Sequence, residues 1–327
     1  MDKRNVAIAA AFVSFLLTSG SFGTAFAQTY PARPVRVVIG FAPGGSADVV
    51  PRIVAAELAK RLGQPLVIDN KPGAGGQISV AAVLNAPADG YTLLSGALGA
   101  IAINPTLYDQ LAYDPVRDLV PIASIAQVPM VILVQRAGPA SVRDLIAESK
   151  AKPGKLNYGH SGIGTAMHLT TEMFKSATGA DLTSVAFKTS AEVSAALMGG
   201  FLDATCTDAN LALTSLRTGK VKAILVSSQE RSPMLPDVPT MAESGYPNFE
   251  PMMGWFGFFA RAGTPPEIVN KLATEIERVL QVPDVRERIL ATGAEPWYLP
   301  PAQFGQFVKG EIAKWGRAVR ESGVQAK

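Results

Sequence analysis

Residues 35–48 read Val-Arg-Val-Val-Ile-Gly-Phe-Ala-Pro-Gly-Gly-Ser-Ala-Asp, and this stretch decides the fold class. Val35 to Ile39 is β-branched and apolar apart from Arg36, the composition of a mostly buried strand. Gly40 to Gly45 cannot continue it, because Pro43 has no N–H and two glycines follow. From Ser46 onward Val49, Val50, Ile53, Val54, Leu58 and Leu62 recur on one helical face. A strand that opens through a Gly-rich turn into a helix leaves backbone N–H groups unpaired. Together with the helix dipole, those groups favour an anion.

The alternation continues on the C-terminal side. A strand at 65–69 follows the helix at 47–62, and the Gly/Pro turn Asn70–Gly76 leads to a helix at 77–85. A strand is expected at 91–95. This β-α-β-α-β order implies a parallel sheet with helices on both faces. Residues 105–118 read as an irregular excursion. Apolar runs at 128–134 and 255–260 both stop at Arg-Ala-Gly and read as crossings, near 128–135 and 255–262. They divide the chain into a first domain, 28–127 plus 255–327, and a second, 128–254. The second has its own helices at 142–151, 165–178, 191–199 and 210–218, with strands at 182–187, 203–207 and 223–227. Helices at 266–280, 285–292 and 302–322 close the chain. The expected class is α/β, two domains with a ligand cleft between them.

The first residues point to export. Lys3 and Arg4 precede an uncharged apolar run, 6–17, and Ala25-Phe26-Ala27 has the small-x-small pattern of a cleavage site. The run is too short for a membrane span, so a signal peptide cut after Ala27 is expected, leaving a periplasmic chain. The remaining 300 of 327 residues are enough for two cores. The single cysteine, Cys206, makes no intramolecular disulfide. A net charge of +3 with no Lys/Arg cluster argues against nucleic acid as a partner.

Catalytic chemistry finds little support. Gly159-His160-Ser161-Gly162-Ile163 fails the G-x-S-x-G elbow at its last position. A secreted α/β hydrolase using Ser161 is nevertheless the rival reading, because His160 stands beside it. The two histidines, His160 and His168, are eight apart, unlike the i, i+4 spacing of a helical zinc pair, so no metal site is expected. Gly73-Ala74-Gly75-Gly76 lacks the third glycine of a dinucleotide fingerprint, and there is no phosphate loop, so no cofactor is expected. A binding protein is compatible with what remains. Its sites would be backbone N–H groups and the short hydroxyls of Ser46, Ser95, Ser161, Thr165, Thr189 and Ser190. Tyr158 to Thr165 is a second Gly-rich turn into a helix, and two such N-termini facing one cleft suit a carboxylate. Phe41, Phe187 and Trp255 are aromatic candidates for the cleft wall.

An ordered set of motifs then carries a family resemblance. It comprises Tyr30-Pro-x-Arg33-Pro34-Val35, GFAPGGSAD at 40–48, NKPGAGG at 70–76 and ADGYTLL at 88–94. Pro236-Asp237-Val238-Pro239-Thr240 and WFGFFARAGTP at 255–265 complete it. Together they resemble the extracytoplasmic solute receptors of tripartite tricarboxylate transporters, the Bug receptors. The resemblance implies a periplasmic Venus flytrap, type II-like and monomeric. It closes on a small organic acid, delivers it to membrane permease subunits and has no catalytic activity. It implies a carboxylate clamp made by Phe41, Ala42, Pro43, Gly44, Gly45 and Ser46 with Asp48 on one side. Ser161, Gly162, Ile163, Gly164 and Thr165 face it, with His168 one turn further along. Loops after Asp69 and Ser95 would form the cleft floor, and Asp208 belongs to an altered family motif. Where family members commonly carry Tyr-Lys-Gly-Gly, this chain has Phe187-Lys188-Thr189-Ser190, which implicates Phe187 and Thr189 in ligand choice. Citrate-like, C4/C5 dicarboxylate and aromatic carboxylate ligands all occur in the family.

Overall fold

In the computed structural model, which describes residues 30–324, the opening stretch forms strand β1 (Val35–Ile39) and helix α1 (Ser46–Leu62). The expected leader, 1–27, lies outside the described residues. The chain falls into two units, 1–32 and 33–327, and every element named here belongs to the second. Gly63 ends α1 in the left-handed conformation at φ +69°, where its N–H reaches the Ala59 carbonyl.

Strand β2 (Leu66–Asn70) precedes a single 3₁₀ turn at Ala74–Gly76, helix α2 (Gln77–Leu84) and strand β3 (Thr92–Ala97). The expected irregular excursion, 105–118, is irregular from 108 to 114 and flanked by short helical turns. A π-turn at Gly99–Ile103 runs into helix α3 (Asn104–Leu107), and α4 (Pro115–Asp118) follows, capped by the Asp114 carboxylate. These turns are too short to show a helical period.

Strand β4 (Leu119–Gln135) is 17 residues long, well beyond the expected run at 128–134. Pro121, Ser124, Gln127 and Pro129 interrupt its apolar pattern, and its register slips between Pro121 and Ala123 and between Ser124 and Ala126. Bulges of this kind accommodate residues that a regular ladder would exclude.

Helices α5 (Val142–Ala151), α6 (Ala166–Thr178), α7 (Ser190–Met198) and α8 (Ala209–Leu216) alternate with strands β5 (Asn157–His160), β6 (Thr183–Ala186), β7 (Ala204–Asp208) and β8 (Val221–Val226). The chain returns through β9 (Met253–Arg261), α9 (Pro266–Leu280), α10 (Pro283–Leu290) and β10 (Glu295–Pro296). It ends with α11 (Pro301–Glu321).

The strand order is β2-β1-β3-β9-β4-β7-β5-β6, with β8 and β10 also pairing β4. The sheet is mixed. Strands β1, β2 and β3 run parallel, as do β5, β6 and β7, whereas β9 is antiparallel to β3 and β4 is antiparallel to β7, β8 and β9. Strand β4 belongs to both halves. Residues 119–129 pair with β9, and from Met130 onward the partners are β7 and β8. All of β9 lies in the first half, so the return crossing comes before Met253. Ser227 joins the two crossings, because its hydroxyl accepts the Met130 N–H at 2.9 Å and donates to the Met252 carbonyl.

The first half is closed by α11. Phe304, Val308 and Trp315 of this helix are buried with Trp255 and Phe259 of β9. Trp255 and Phe304 meet edge to face at 5.7 Å, and each fully buried side chain of this kind contributes about 1.5–3 kcal/mol. Glu311 and Lys314, both buried on α11, form an ion pair. Glu311 accepts the indole N–H groups of Trp255 and Trp315 at 3.0 and 2.9 Å. Among the described residues, no helix is long and apolar enough to cross a membrane.

Candidate functional site

Parallel strands within each half end on the same side, and their carboxyl ends surround one cavity of about 450 Å³. At five of those ends the chain turns from strand into helix. Phe41, Ser46 and Ala47 come from the β1–α1 turn, Leu98 and Gly99 from the start of the π-turn, and Ser161, Thr165 and Met167 from the β5–α6 turn. Ser190 opens α7 after β6, and Asp208 caps α8 after β7. The first turn of a helix leaves its N–H groups without internal acceptors, so the cavity is built from such donors.

The β1–α1 turn is held by charge. Gly45 caps α1 with no side-chain bond, and the Ser46 and Ala47 N–H groups have no protein acceptor among the described residues. The Asp48 carboxylate, 2 % exposed, accepts the Gly44 N–H at 3.0 Å, the Arg52 Nε–H at 2.9 Å and the Asn70 Nδ2–H at 2.7 Å. Burial alone would raise the Asp48 carboxyl. The bonds from Arg52, Asn70 and Gly44 outweigh it and hold the group below the usual carboxylate range. Asn70 also donates to the Phe41 carbonyl, so β2 fixes both ends of the turn.

The β5–α6 turn is held by neutral groups. Thr165 caps α6 through its hydroxyl, which accepts the His168 N–H and donates to the Gly162 carbonyl at 2.8 Å. The Gly162 N–H donates to His160 Nδ1 at 3.2 Å, and the Gly164 N–H to His168 Nδ1 at 3.3 Å. The two imidazoles are buried with ring centroids 4.4 Å apart. Burial, with His160 alongside, lowers the His168 imidazole to about 4, and burial lowers His160 as well. Gly164 has φ +76°, and a Cβ there would stand 2.6 Å from Leu107 of α3, so this turn touches the first half of the molecule.

The rest of the wall is apolar. Leu98, Ile103, Leu107, Val128, Met130, Trp255 and Phe256 line it, with Asn104 and Tyr108 as polar side chains and Gly73, Gly75 and Gly76 from the turn after β2. No Lys, Arg or His lines the cavity among the described residues, and Asp208 is its one charged side chain. Burial raises the Asp208 carboxyl against bonds from backbone N–H groups, including Leu211.

Of the residues the sequence singles out, Phe41, Ser46, Ser161, Gly164, Thr165 and Asp208 line the cavity, as do Ile163, Ser190 and Trp255. Ala42, Pro43, Gly44 and Gly45 belong to the same turn without lining it. Asp48 and His168 stand behind their turns as supports. Gly162 spends its N–H on His160, and Ser95 is buried within β3. Phe187 and Thr189 do not line the cavity; the Thr189 hydroxyl caps α7 by accepting the Glu192 N–H at 3.2 Å. Asn104, Tyr108 and Met130 line the cavity without any signal in the sequence. Asn104 donates to the Gly75 carbonyl at 3.0 Å and a Cβ on Gly75 would meet Tyr108, contacts that no local pattern announces.

Ser161 has no imidazole base. Its hydroxyl donates to Met167 Sδ at 3.2 Å, while His160 is engaged by Gly162 and, through Nε2 at 2.9 Å, by Ser184. No group of three or more potential metal ligands occurs among the described residues.

Comparison with known proteins identifies the family. A family model described as tripartite tricarboxylate transporter family receptor matches residues 50–324. Protein BugT of Bordetella pertussis is 38% identical over 315 residues, covering 96% of each chain. Among solved structures, Rpa4515 of R. palustris with adipate has TM-score 0.79 and 36% identity, covering 90% of this chain and 99% of its own. MatC of Rhodopseudomonas palustris with bound malate has TM-score 0.73 and 36% identity, covering 89% and 100%. The periplasmic binding protein BugD has TM-score 0.76 and 34% identity, covering 91% and 100%. The chain belongs to the tripartite tricarboxylate transporter receptor family.

Proposed function

We propose that this member of the receptor family is a periplasmic receptor for a small carboxylate with an apolar body, and that it delivers its ligand to membrane permease subunits without transforming it. One observation carries the reading. Turns at the N-termini of α1 and α6 face one cavity with free N–H groups, and no cationic side chain lines that cavity among the described residues. Such donors hold one carboxylate at each end of a short acid. A tricarboxylate would gather three charges beside Asp208 with no cation to offset them. The apolar wall of Leu98, Ile103, Val128, Met130 and Trp255 favours a methylene chain or ring between the carboxylates. The adipate and malate in related structures support a ligand of this size.

The two halves of the sheet serve as the lobes of the flytrap, hinging where β4 changes partners and where the chain returns to β9. The chain functions as a monomer, exported with a leader cut after Ala27. Isothermal titration against aliphatic and aromatic mono-, di- and tricarboxylates tests the reading. A dicarboxylate such as adipate is expected to bind and to raise the unfolding free energy by about 2.7 kcal/mol at a hundred times its Kd. No heat and no thermal shift with any acid would remove it.

A further inference from the structure

We infer that His160 and His168 are positioning residues of the ligand clamp: their unprotonated Nδ1 atoms accept the Gly162 and Gly164 N–H groups and so hold the β5–α6 turn in its binding shape. The inference rests on the carboxylate-receptor reading of the cavity and adds to it what fixes one half of the clamp.

The geometry determines the tautomers. An N–H pointing at Nδ1 requires a lone pair there, so the ring proton of each neutral histidine sits on Nε2. For His160 that proton has an acceptor, the Ser184 hydroxyl at 2.9 Å on β6. The two glycines have φ +123° and +76°, a backbone conformation that glycine reaches without strain and that turns both N–H groups toward the rings. Turning the Gly162 and Gly164 N–H groups back onto imidazoles leaves the Ile163 peptide between them and the first N–H groups of α6 toward the cavity. Ile163, exposed, lines the cavity beside them.

Protonation removes this arrangement. An imidazolium presents Nδ1–H to a glycine N–H, two donors face to face, and the rings 4.4 Å apart would set like charges together. The surroundings do not favour the charge. Tyr158 on β5 flanks both rings, and the Cys206 thiol on β7 is buried and neutral. Glu172 on α6 favours protonation, but it is engaged by Lys175 at 2.8 Å and by the Tyr158 hydroxyl at 2.5 Å. Lys175 itself opposes a second cation at His168. The turn is therefore intact at neutral pH and is lost as His168 gains its proton near pH 4.

The test uses the full mature chain with ¹⁵N-labelled histidine and glycine, and adipate as the binding probe. At pH 7 both Nδ1 atoms are expected to show the shift of an unprotonated nitrogen, with the Gly162 and Gly164 amides protected from exchange. On acidification those amides should change together with the adipate affinity that remains after correction for adipate's own protonation. His168→Asn keeps an acceptor near the Nδ1 position but cannot protonate, so it should bind within about threefold of wild type at pH 7 and lose the part of the acid limb that exceeds adipate's own protonation. His168→Leu, without an acceptor, should bind about tenfold more weakly at every pH. Nδ1–H signals at pH 7, or glycine amides that ignore His168 protonation, overturn the inference whether or not any acid binds. Intact amide–imidazole bonds in a protein that binds no carboxylate would instead overturn the receptor reading.

Discussion

The two turns that face the cavity solve one problem by opposite means. In the β1–α1 turn a buried carboxylate, Asp48, gathers Gly44, Arg52 and Asn70 around it. In the β5–α6 turn two neutral imidazoles accept the N–H groups of Gly162 and Gly164. The first support is ionic and depends on a carboxyl that stays ionised to low pH. The second depends on histidines that stay neutral. The turns also differ in setting: a Cβ on Gly44 would meet nothing within 4 Å, whereas one on Gly164 would strike Leu107. One turn is an open rim, and the other is wedged against the opposite half.

The largest expected effect breaks this asymmetry of space. Gly164→Val should lower affinity for adipate about a hundredfold, because it forces a side chain into Leu107 from a φ that disfavours it. Gly44→Ala at φ +106° should cost only about 1–2 kcal/mol of backbone strain, read as a lower melting temperature. Equal losses of affinity in the two variants, measured by calorimetry, would erase the distinction.

Next in size, Asp48→Ala removes the centre of the charged support and leaves the Arg52 and Asn70 donors without their shared acceptor. We expect a loss of about 2 kcal/mol in urea unfolding, toward the low end for a broken pair because Arg52 is 41% exposed.

The pH dependence separates the two supports. His168 is lowered from its ordinary value to about 4, so the unfolded chain takes up a proton that the folded chain refuses. Its stabilising contribution is complete above pH 6.5 and is lost as pH falls toward 4. Asp48 is depressed below the usual carboxylate range, so its contribution persists through that window and fades only at lower pH. Melting temperatures between pH 7 and 4 should therefore fall in wild type and in Asp48→Asn, and fall less in His168→Asn.

The smallest effect concerns the departure at 187–190. Because Thr189 caps α7 and does not line the cavity, Thr189→Gly should cost only a few tenths of a kcal/mol and leave the order of ligand preference unchanged. A changed ligand order would assign this loop a direct part in selection.

Much of the architecture was legible because it is local. Strands β1, β2 and β3 and the long helices α1, α9 and α11 follow from apolar periodicity and from turn residues at their ends, and both clamp turns follow from Gly and Pro where a strand must stop. The excess length of β4 was hidden by Pro121 and Pro129, whose accommodation depends on bulges against β9. Asp48 and His168 could be placed near the ligand by their position in a motif, but only the structure shows that Asp48 turns back to Gly44 and Asn70, and His168 to Gly164, so that both work from behind.

By itself the sequence determined the alternation of strands and helices, the two anion-suited turns and the family, since these depend on residues within a few positions of one another. Tertiary structure alone decided that β4 belongs to both halves of the sheet, that Asn104, Tyr108 and Met130 join the cavity, and that the turns rest on different supports. The physical reason is that hydrogen bonds such as Asn70 to Asp48, and contacts such as Leu107 with Gly164, join residues far apart in the chain. Their existence depends on the packing that brings the strand ends together.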